Sequence, residues 1–359
     1  MKHLVLVGGG HAHVHVLRDF AAAPAPAARV TLVSSDPQLV YSGMVPGYLA
    51  GHYGFGDIAI PLAPLAAMAG MGFIQAAVTA VDAAARTVTL SNGDTLRYDA
   101  LSLDCGGVVD ADAVPGAREH ALLVRPMAPF VQRCPALAER AQAIVMVGGG
   151  AGGVELAMAV QHRLKGRARV SLVTGGPPPL ASYSTAVQER ARRALRRRGI
   201  TLFEDSVERI AEGHVLLGRH GGRLACDAAI LATGTSAPRW LRGSGLALDD
   251  EGFVATSPTL QSLSHAEVFA AGDIASRPDA PRPRSGVFAV RAGPPLALNL
   301  RRFVAGGALQ AHTPQKRSLS LLSCGERYAI ATWGAWSAEG RWVWWWKDRI
   351  DRRFVRSFR

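Results

Sequence analysis

In two stretches of the chain a short apolar run stops abruptly at three glycines, and a helix-compatible segment follows at once. The first is Leu4 to Val16, LVLVGGGHAHVHV, and the second is Ala143 to Ala157, AIVMVGGGAGGVELA. Strand, tight glycine turn and helix, in that order, open a βαβ unit of the dinucleotide-binding kind. Gly8 lets the chain turn sharply, and Gly10 removes a side chain where backbone must approach a pyrophosphate. The helix behind the turn then offers free N–H groups and a positive dipole end. The second copy is a complete G-x-G-x-x-G, through Gly148, Gly150 and Gly153. The first has His13 where the third glycine belongs. Two such turns in one chain predict two α/β units, a duplication of kind if not of sequence.

Around these turns the chain reads as a series of short strands. Val30–Val33 is the second strand of the first unit. Its end carries Ser34, Ser35 and Asp36 where a ribose-binding carboxylate is expected, so either Asp36 reaches round or the serines bond the ribose more weakly. Residues 41–47, YSGMVPG, read as a loop laid over a flat ligand or as an ordinary surface turn. Asn92-Gly93 marks a hairpin. Leu101–Leu103 ends in Asp104-Cys105-Gly106-Gly107, and Ala229–Ala232 ends in Thr233-Gly234-Thr235, one strand running into glycine per unit. Residues 110–135 are a candidate crossing between the units. Val170–Val173, the second strand of the second unit, ends in Thr174-Gly175-Gly176. An acid there favours NAD and a nearby arginine NADP; neither stands at the expected place, which leaves the nicotinamide cofactor open. Val268–Ala271 ends in Gly272-Asp273, where the glycine admits a close ligand and the carboxylate can bond a polyol. A helix is expected from about Arg291-Ala292-Gly293-Pro294-Pro295 to Leu300, with its positive end toward a bound ring.

Composition narrows the class. The chain has 359 residues, 48% hydrophobic, with 39 glycines and a net charge of +12. That suits a glycine-rich α/β protein and excludes a disordered or fibrous one. No nucleic-acid module accompanies the basic charge, so it reads either as a match for dinucleotides and anionic lipid or as the mark of a genome rich in arginine and alanine. The 4 cysteines, at 105, 134, 226 and 324, contain no C-x-x-C. This argues against a zinc ribbon, a dithiol pair or a secreted disulfide framework, and the expected compartment is the reducing cytoplasm. The uncharged segment 58–81 is broken by prolines and glycines and reads as strand, short helix, strand, with no membrane span. His11, His13 and His15 sit in the phosphate turn and are not read as metal ligands. The arginine-dense segment 186–198 reads as a helix with a solvated face or, less simply, an anion-contacting one. The tail at 341–359, RWVWWWKDRIDRRFVRSFR, interleaves tryptophan with basic residues, either as core packing under snorkelling arginines or as a membrane interface.

Taken together, GGGHAH at 8–13, GGGAGGVELA at 148–157, ATGT at 232–235 and VFAAGD at 268–273 resemble the pyridine nucleotide-disulfide oxidoreductase-like flavoproteins over nearly the whole chain. Within them the chain is similar to type II NADH:quinone and sulfide:quinone oxidoreductases. YSGMVPGYLAGHY, AVRAGPPLALNLR and EGRWVWWWKDRIDRRF further resemble a branch associated with selenide,water dikinase. The resemblance implies two Rossmann-like domains plus a short α+β tail. An FAD domain would be formed by 1–112 with 235–312, an NAD(P) domain by 113–234, and a flavin-shielding, membrane-facing segment by 313–359. It implies that Gly8, Gly10 and His11 cradle the FAD pyrophosphate, that Ser34 and Ser35 replace the ribose acid, and that Val78 lies against adenine. Gly272 and Asp273 would hold the ribityl chain, and Arg291 to Pro294, with Gly293, the flavin edge. Pro46 belongs to the loop over the ligand. Gly148, Gly150, Gly153, Thr233 and Gly234 would form the nicotinamide site, with Glu155 as its catalytic carboxylate. The tail would offer a quinone path at the inner face of the membrane; a homodimer is left open.

The C-x4-C of disulfide-using members is absent, which argues against glutathione- or thioredoxin-reductase activity. Three readings remain. The first is an FAD enzyme passing electrons from NAD(P)H to a quinone or similar acceptor. The second is a flavoenzyme oxidising sulfide or selenium species through Cys324 and Cys134, against which stands the reading of both as inert buried thiols. The third is a flavin-bearing binding or sensor protein of apoptosis-inducing-factor-like fold.

Overall fold

The computed structural model describes residues 1–23, 28–219 and 221–359. Its architecture is α/β, built on two five-stranded parallel sheets of the same construction. In the first, Lys2–Val7 lies between Ala28–Ser34 and Ala100–Leu103, with Gly72–Gln75 and Val268–Ala270 at the edges. Leu4, Val5 and Leu6 have no exposed surface, as a parallel sheet covered on both faces requires. In the second, Ala143–Val147 lies between Arg169–Val173 and Ala228–Leu231, with Thr201–Phe203 and Ala121–Leu123 at the edges. The first sheet takes its last strand from beyond the second, so its unit is discontinuous in sequence.

Each unit also carries a three-stranded antiparallel meander, Val78–Asp82 to Thr95–Arg97 in the first and Val207–Ala211 to Arg223–Ala225 in the second. Asn92-Gly93 does close a hairpin, with Gly93 at φ +89°. The expected helix behind the first turn runs His11–Ala22, and the one behind the second runs Ala151–Leu164. Segment 58–81 is strand, short helix and strands, and no helix of the described residues is long and apolar enough to cross a membrane.

Three expectations are corrected here. Residues 41–47 are helical from Ser42 rather than a loop: Ser42–Met44 is a 3-10 turn, with Ser42 at the cleft, that runs into a short helix, Val45–Leu49, with Pro46 buried in its first turn, where its missing N–H is not needed. The helix expected from Arg291 begins at Gly286 and runs to Ala305, so Arg291 and Gly293 lie inside it. Pro294 and Pro295 drew the expected start too late, because prolines inside the helix read as a first turn. The arginine-dense helix, Thr185–Arg197, does not present a plainly solvated face. Arg190 and Arg193 reach Glu339, and Arg192 reaches Glu204, while Arg198 just beyond it reaches Glu326.

Glu326 and Glu339 belong to the tail, a three-stranded sheet spanning Ser320–Gly340 that leads into the helix Arg341–Arg356. Core packing accounts for one face of this helix, and the other face is open to solvent. Val343, Trp344, Lys347, Asp351 and Val355 are buried, whereas Trp342, Trp345, Trp346 and Ile350 are exposed.

Candidate functional site

A cleft of about 860 Å³ opens at the carboxyl ends of the first sheet's strands, the position where open α/β sheets bind ligands. Its volume is at the upper end of the roughly 300–1,000 Å³ of cofactor clefts. Gly8, Gly10 and His11 line it, as do Ser34, Ser35, Asp36, Val78 and Asp273.

The glycines are there because nothing larger fits. A side-chain carbon on Gly8, which sits at φ +94°, would lie 2.4 Å from the Cys105 α-carbon, and one on Gly10 would lie 2.3 Å from the Asp104 carbonyl. Gly272, at φ +73°, is held equally close to the Asp104 carboxylate. The second turn repeats the plan. The Gly8 N–H donates to Val33 at 2.8 Å and the Gly148 N–H to Val173 at 2.8 Å. Gly148 packs on Ala232 and Thr233 as Gly8 packs on Asp104 and Cys105, and a side chain on Gly153 would strike the Gly148 carbonyl at 2.0 Å. Gly150 and Gly234 have open space around their α-carbons.

His13 explains how the first turn works without its third glycine. Its Nδ1 lies 2.6 Å from the Gly8 carbonyl and its Nε2 2.8 Å from Ser102 Oγ. A carbonyl only accepts, so Nδ1 carries the proton and Nε2 accepts from the serine hydroxyl. The ring thus ties the turn to the neighbouring strand. Burial holds its pKa down at about 4, consistent with a neutral ring.

His11, the first residue of the same helix, faces the cleft. Burial is the first cause of its pKa of about 4, and its Nε2 is buried with no hydrogen-bond partner among the described residues. It stands beside Gly286, where the long helix Gly286–Ala305 begins. Helix start, close-approach glycines and an orphaned imidazole nitrogen converge on one end of the cleft, and this donor set fits a dinucleotide with a phosphate bridge. It is Gly286 that brings a helix start to this place. Arg291 points to solvent, and Gly293 packs against His15, where a side-chain carbon would meet the His15 Cβ at 2.5 Å. Pro46 likewise does not line the cleft.

Two residues that the sequence reading passed over matter here. Asp104 is buried and its Oδ2 accepts the N–H groups of Ala12 and His13 at 2.7 and 2.8 Å, so it takes two of the helix's free donors. Burial pushes its carboxyl well above the ordinary range, with the nearby Asp273 adding to the effect. Arg125 bonds the Asp273 carboxylate at 3.0 Å across the cleft. The one available signal for Asp104 was its place: it precedes Cys105-Gly106 as Ala232 precedes Thr233-Gly234.

Glu155 lies in the helix behind the second turn, and the tail closes on it. The Ser323 N–H donates to Glu155 Oε1 at 2.7 Å. Burial raises its pKa to about 7 against the pull of Lys347. Lys347 in turn donates to Asp351 Oδ2 at 2.6 Å and to the Gly43 carbonyl at 2.7 Å. Burial works against its charge, yet Asp351 and Glu155 together hold its pKa above the ordinary value. The Tyr41 hydroxyl donates to Asp351 Oδ1 at 3.3 Å, and its ring stacks on Phe354, 4.5 Å between centroids. The buried pair Lys347–Asp351, bonded to Gly43 and Tyr41, therefore joins the tail helix to the wall of the first unit, and the Lys347 charge acts on the partly buried Glu155 of the second.

The cysteines do not join it. Cys134 and Cys324 are free, buried, and pushed up to about 12 by burial, and neither lines the cleft. That is the opposite of the lowered pKa a reactive thiolate needs.

Comparison with known proteins agrees with this geometry. A demethylphylloquinone reductase, NdbB, of Synechocystis is 30% identical over 237 residues, 62% of this chain and 59% of that protein, so the match spans less than two thirds of the relative's length. The sulfide:quinone oxidoreductase of Aquifex aeolicus superposes with a TM-score of 0.81 at 19% identity, covering 100% of this chain and 92% of that one. NDH2 of Plasmodium falciparum, solved with NADH, superposes at 0.81 with 13% identity, covering 99% and 97%. At these identities the two structures speak for the fold alone. The sequence model of the pyridine nucleotide-disulphide oxidoreductases matches residues 2–293, through both glycine turns and the strand before Gly272-Asp273. With its duplicated turns, paired parallel sheets and cleft at the strand ends, the chain belongs to the pyridine nucleotide-disulphide oxidoreductase family.

Proposed function

We propose that the protein is an FAD-dependent oxidoreductase that passes electrons from NAD(P)H to a quinone. The observation that carries the reading is the pair of equivalent glycine turns, one opening on the large cleft and the other followed by Glu155 beneath the tail. In this reading 1–112 with 235–312 hold FAD, 113–234 hold the nicotinamide dinucleotide, and 313–359 cover the junction.

FAD bound in the cleft supplies the two-electron chemistry, and the chain supplies position, charge and protons. Gly8 and Gly10 let the backbone approach the phosphates. Ser34, Ser35 and Asp36 stand at the ribose end and Val78 at the adenine. Asp273, steadied by Arg125, meets the polyol. Glu155, titrating near 7, holds a proton below neutrality and can give it up above, as an acid–base group serving quinone reduction must. The positive charge of Lys347 beside it favours negative charge on a bound acceptor.

The acceptor's route is the tail. The helix Arg341–Arg356 buries Lys347 and Asp351 on one side and exposes Trp342, Trp345, Trp346 and Ile350 on the other, with Arg341, Arg349, Arg353 and Arg356 exposed beside them. Tryptophan and arginine together suit an anionic bilayer surface, where a lipid-soluble quinone is found, so contact is peripheral. The sulfide alternative is disfavoured by the two inert thiols.

The test is an anaerobic titration of the purified flavoprotein with NADH, NADPH and sulfide in turn, followed by a short-chain quinone. Bleaching by a nicotinamide and recovery of colour on adding quinone are expected. Bleaching by sulfide alone would overturn the reading.

A further inference from the structure

The strand end that would choose between the two nicotinamides carries no deciding side chain, and a guanidinium from a distant part of the chain lies over it. The strand Arg169–Val173 ends in Thr174, Gly175 and Gly176, with no carboxylate to hold a ribose 2′-hydroxyl. Gly175 and Gly176 have φ of +92° and +109°, a turn that larger residues resist. Over this turn lies the guanidinium of Arg219: a side-chain carbon on Gly176 would sit 3.1 Å from its Nη2.

Arg219 comes from the meander, at the turn between the strands His214–Leu217 and Arg223–Ala225. The backbone of Gly218 and Arg219 is held in place. The carboxylate of Asp205, itself buried, accepts the Ser206 N–H at 2.7 Å and the Arg219 N–H at 2.9 Å, and the Gly218 N–H donates to the Ser206 carbonyl at 2.9 Å. The first unit has the same corner: the Ser91 N–H donates to the Ala77 carbonyl at 2.8 Å, next to Val78 in the cleft wall. By this internal equivalence Val207 corresponds to Val78, while the Arg219 guanidinium, reaching Gly176, lies at the end of the strand Arg169–Val173, where a ribose is expected. The other acid of this strand end, Glu204, is paired with Arg192, and among the described residues no side-chain carboxylate is paired with Arg219.

We propose that Arg219 binds the 2′-phosphate of NADPH, so that the protein uses NADPH in preference to NADH. The inference rests on the reading that the second turn takes a nicotinamide dinucleotide. A planar guanidinium suits a phosphate, and the absence of an acid at Thr174 removes the repulsion that would reject one.

The experiment is calorimetric titration of the purified holoprotein with 2′,5′-ADP and with 5′-AMP. A hydrogen-bonded charge of this kind is worth about 1.5–3 kcal/mol, so the 2′-phosphate is expected to tighten binding roughly 10- to 100-fold. Raised salt should narrow the difference, because Arg219 is exposed. In Arg219→Ala the ratio of affinities should fall to about one, with Arg219→Lys between. The melting temperature of each variant separates a lost phosphate contact from a lost fold. Equal binding of the two ligands by the unmodified protein, or an unchanged ratio in Arg219→Ala, would overturn the proposal. Flavin bleaching keeps the two readings apart. Discrimination by 2′,5′-ADP without bleaching by either nicotinamide sinks the proposed function and leaves the site. Bleaching by NADH and NADPH at equal concentrations sinks the site and leaves the function.

Discussion

The Ser323 N–H donates to the Glu155 carboxylate at 2.7 Å, joining residues 168 apart in sequence. Through it the tail strand Ser320–Ser323 is bonded to the helix behind the second glycine turn, and a partly buried carboxylate is held where its charge is disfavoured.

The first prediction concerns that carboxylate. Glu155 titrates near 7 when folded against 4.5 for the free side chain. The folded chain therefore keeps a proton that the unfolded chain has lost between these values. This contribution to stability is present below pH 4.5 and disappears as pH rises through 7. Glu155→Gln should flatten the stability profile across that window in urea titrations. It should also slow quinone turnover about 10²- to 10⁴-fold if the carboxyl is the acid–base group. An unaltered stability profile would contradict the burial assigned to it.

Lys347 and Asp351 form a buried ion pair. Lys347→Met strands the Asp351 charge and should cost about 3–5 kcal/mol, read as a fall in the urea midpoint. Lys347→Met with Asp351→Leu should recover most of it, since no uncompensated charge remains. A double variant as unstable as the single one would show that the loss is packing rather than charge.

Restoring the fingerprint glycine should harm the protein. His13→Gly removes the ring that joins Gly8 to Ser102 and leaves both partners buried. Each unsatisfied buried group costs about 1–3 kcal/mol. The expected result is a lower melting temperature and weaker flavin retention, whereas a stabilised variant would mean that the histidine is merely tolerated.

The glycines of the two turns should differ in tolerance. Gly8→Ala places a carbon 2.4 Å from backbone at a positive φ and should fail to fold or to retain flavin, while Gly150→Ala meets nothing within 4 Å. Circular dichroism melts should therefore leave the second variant near the parent. Any loss in Gly150→Ala should appear in nicotinamide binding.

The tail's exposed face predicts vesicle binding. Replacing Trp342, Trp345 and Trp346 together by serine should lower partitioning onto anionic vesicles by about tenfold or more in a flotation assay, without changing the melting temperature. Partitioning equal to the parent would remove the membrane from the proposed route.

Much of this was legible in the linear chain. A strand that turns at once into a helix leaves a local mark in glycine, so the triplets at 8–10 and 148–150 announced both turns and their strands, although the backbone that crowds Gly8, Gly10 and Gly148 comes from distant strands. Ser34, Val78 and Asp273, which the family resemblance pointed to, all line the cleft. The misreadings were local as well. Pro294 and Pro295 read as a helix start although the helix had begun at Gly286, and the turn-forming residues at 41–47 coil into helix once buried against neighbours.

What only the tertiary structure decided are contacts between residues brought together by sheet order and tail docking. Asp104 accepts from the first helix because its strand lies beside Lys2–Val7. Lys347 reaches Gly43 because the tail helix folds back onto the first unit. Arg219 lies over Gly176 because the meander returns to the strand end. None of these leaves a periodicity or spacing in the sequence, since burial and electrostatic pairing act through space while a pattern of residues records only what its own backbone needs.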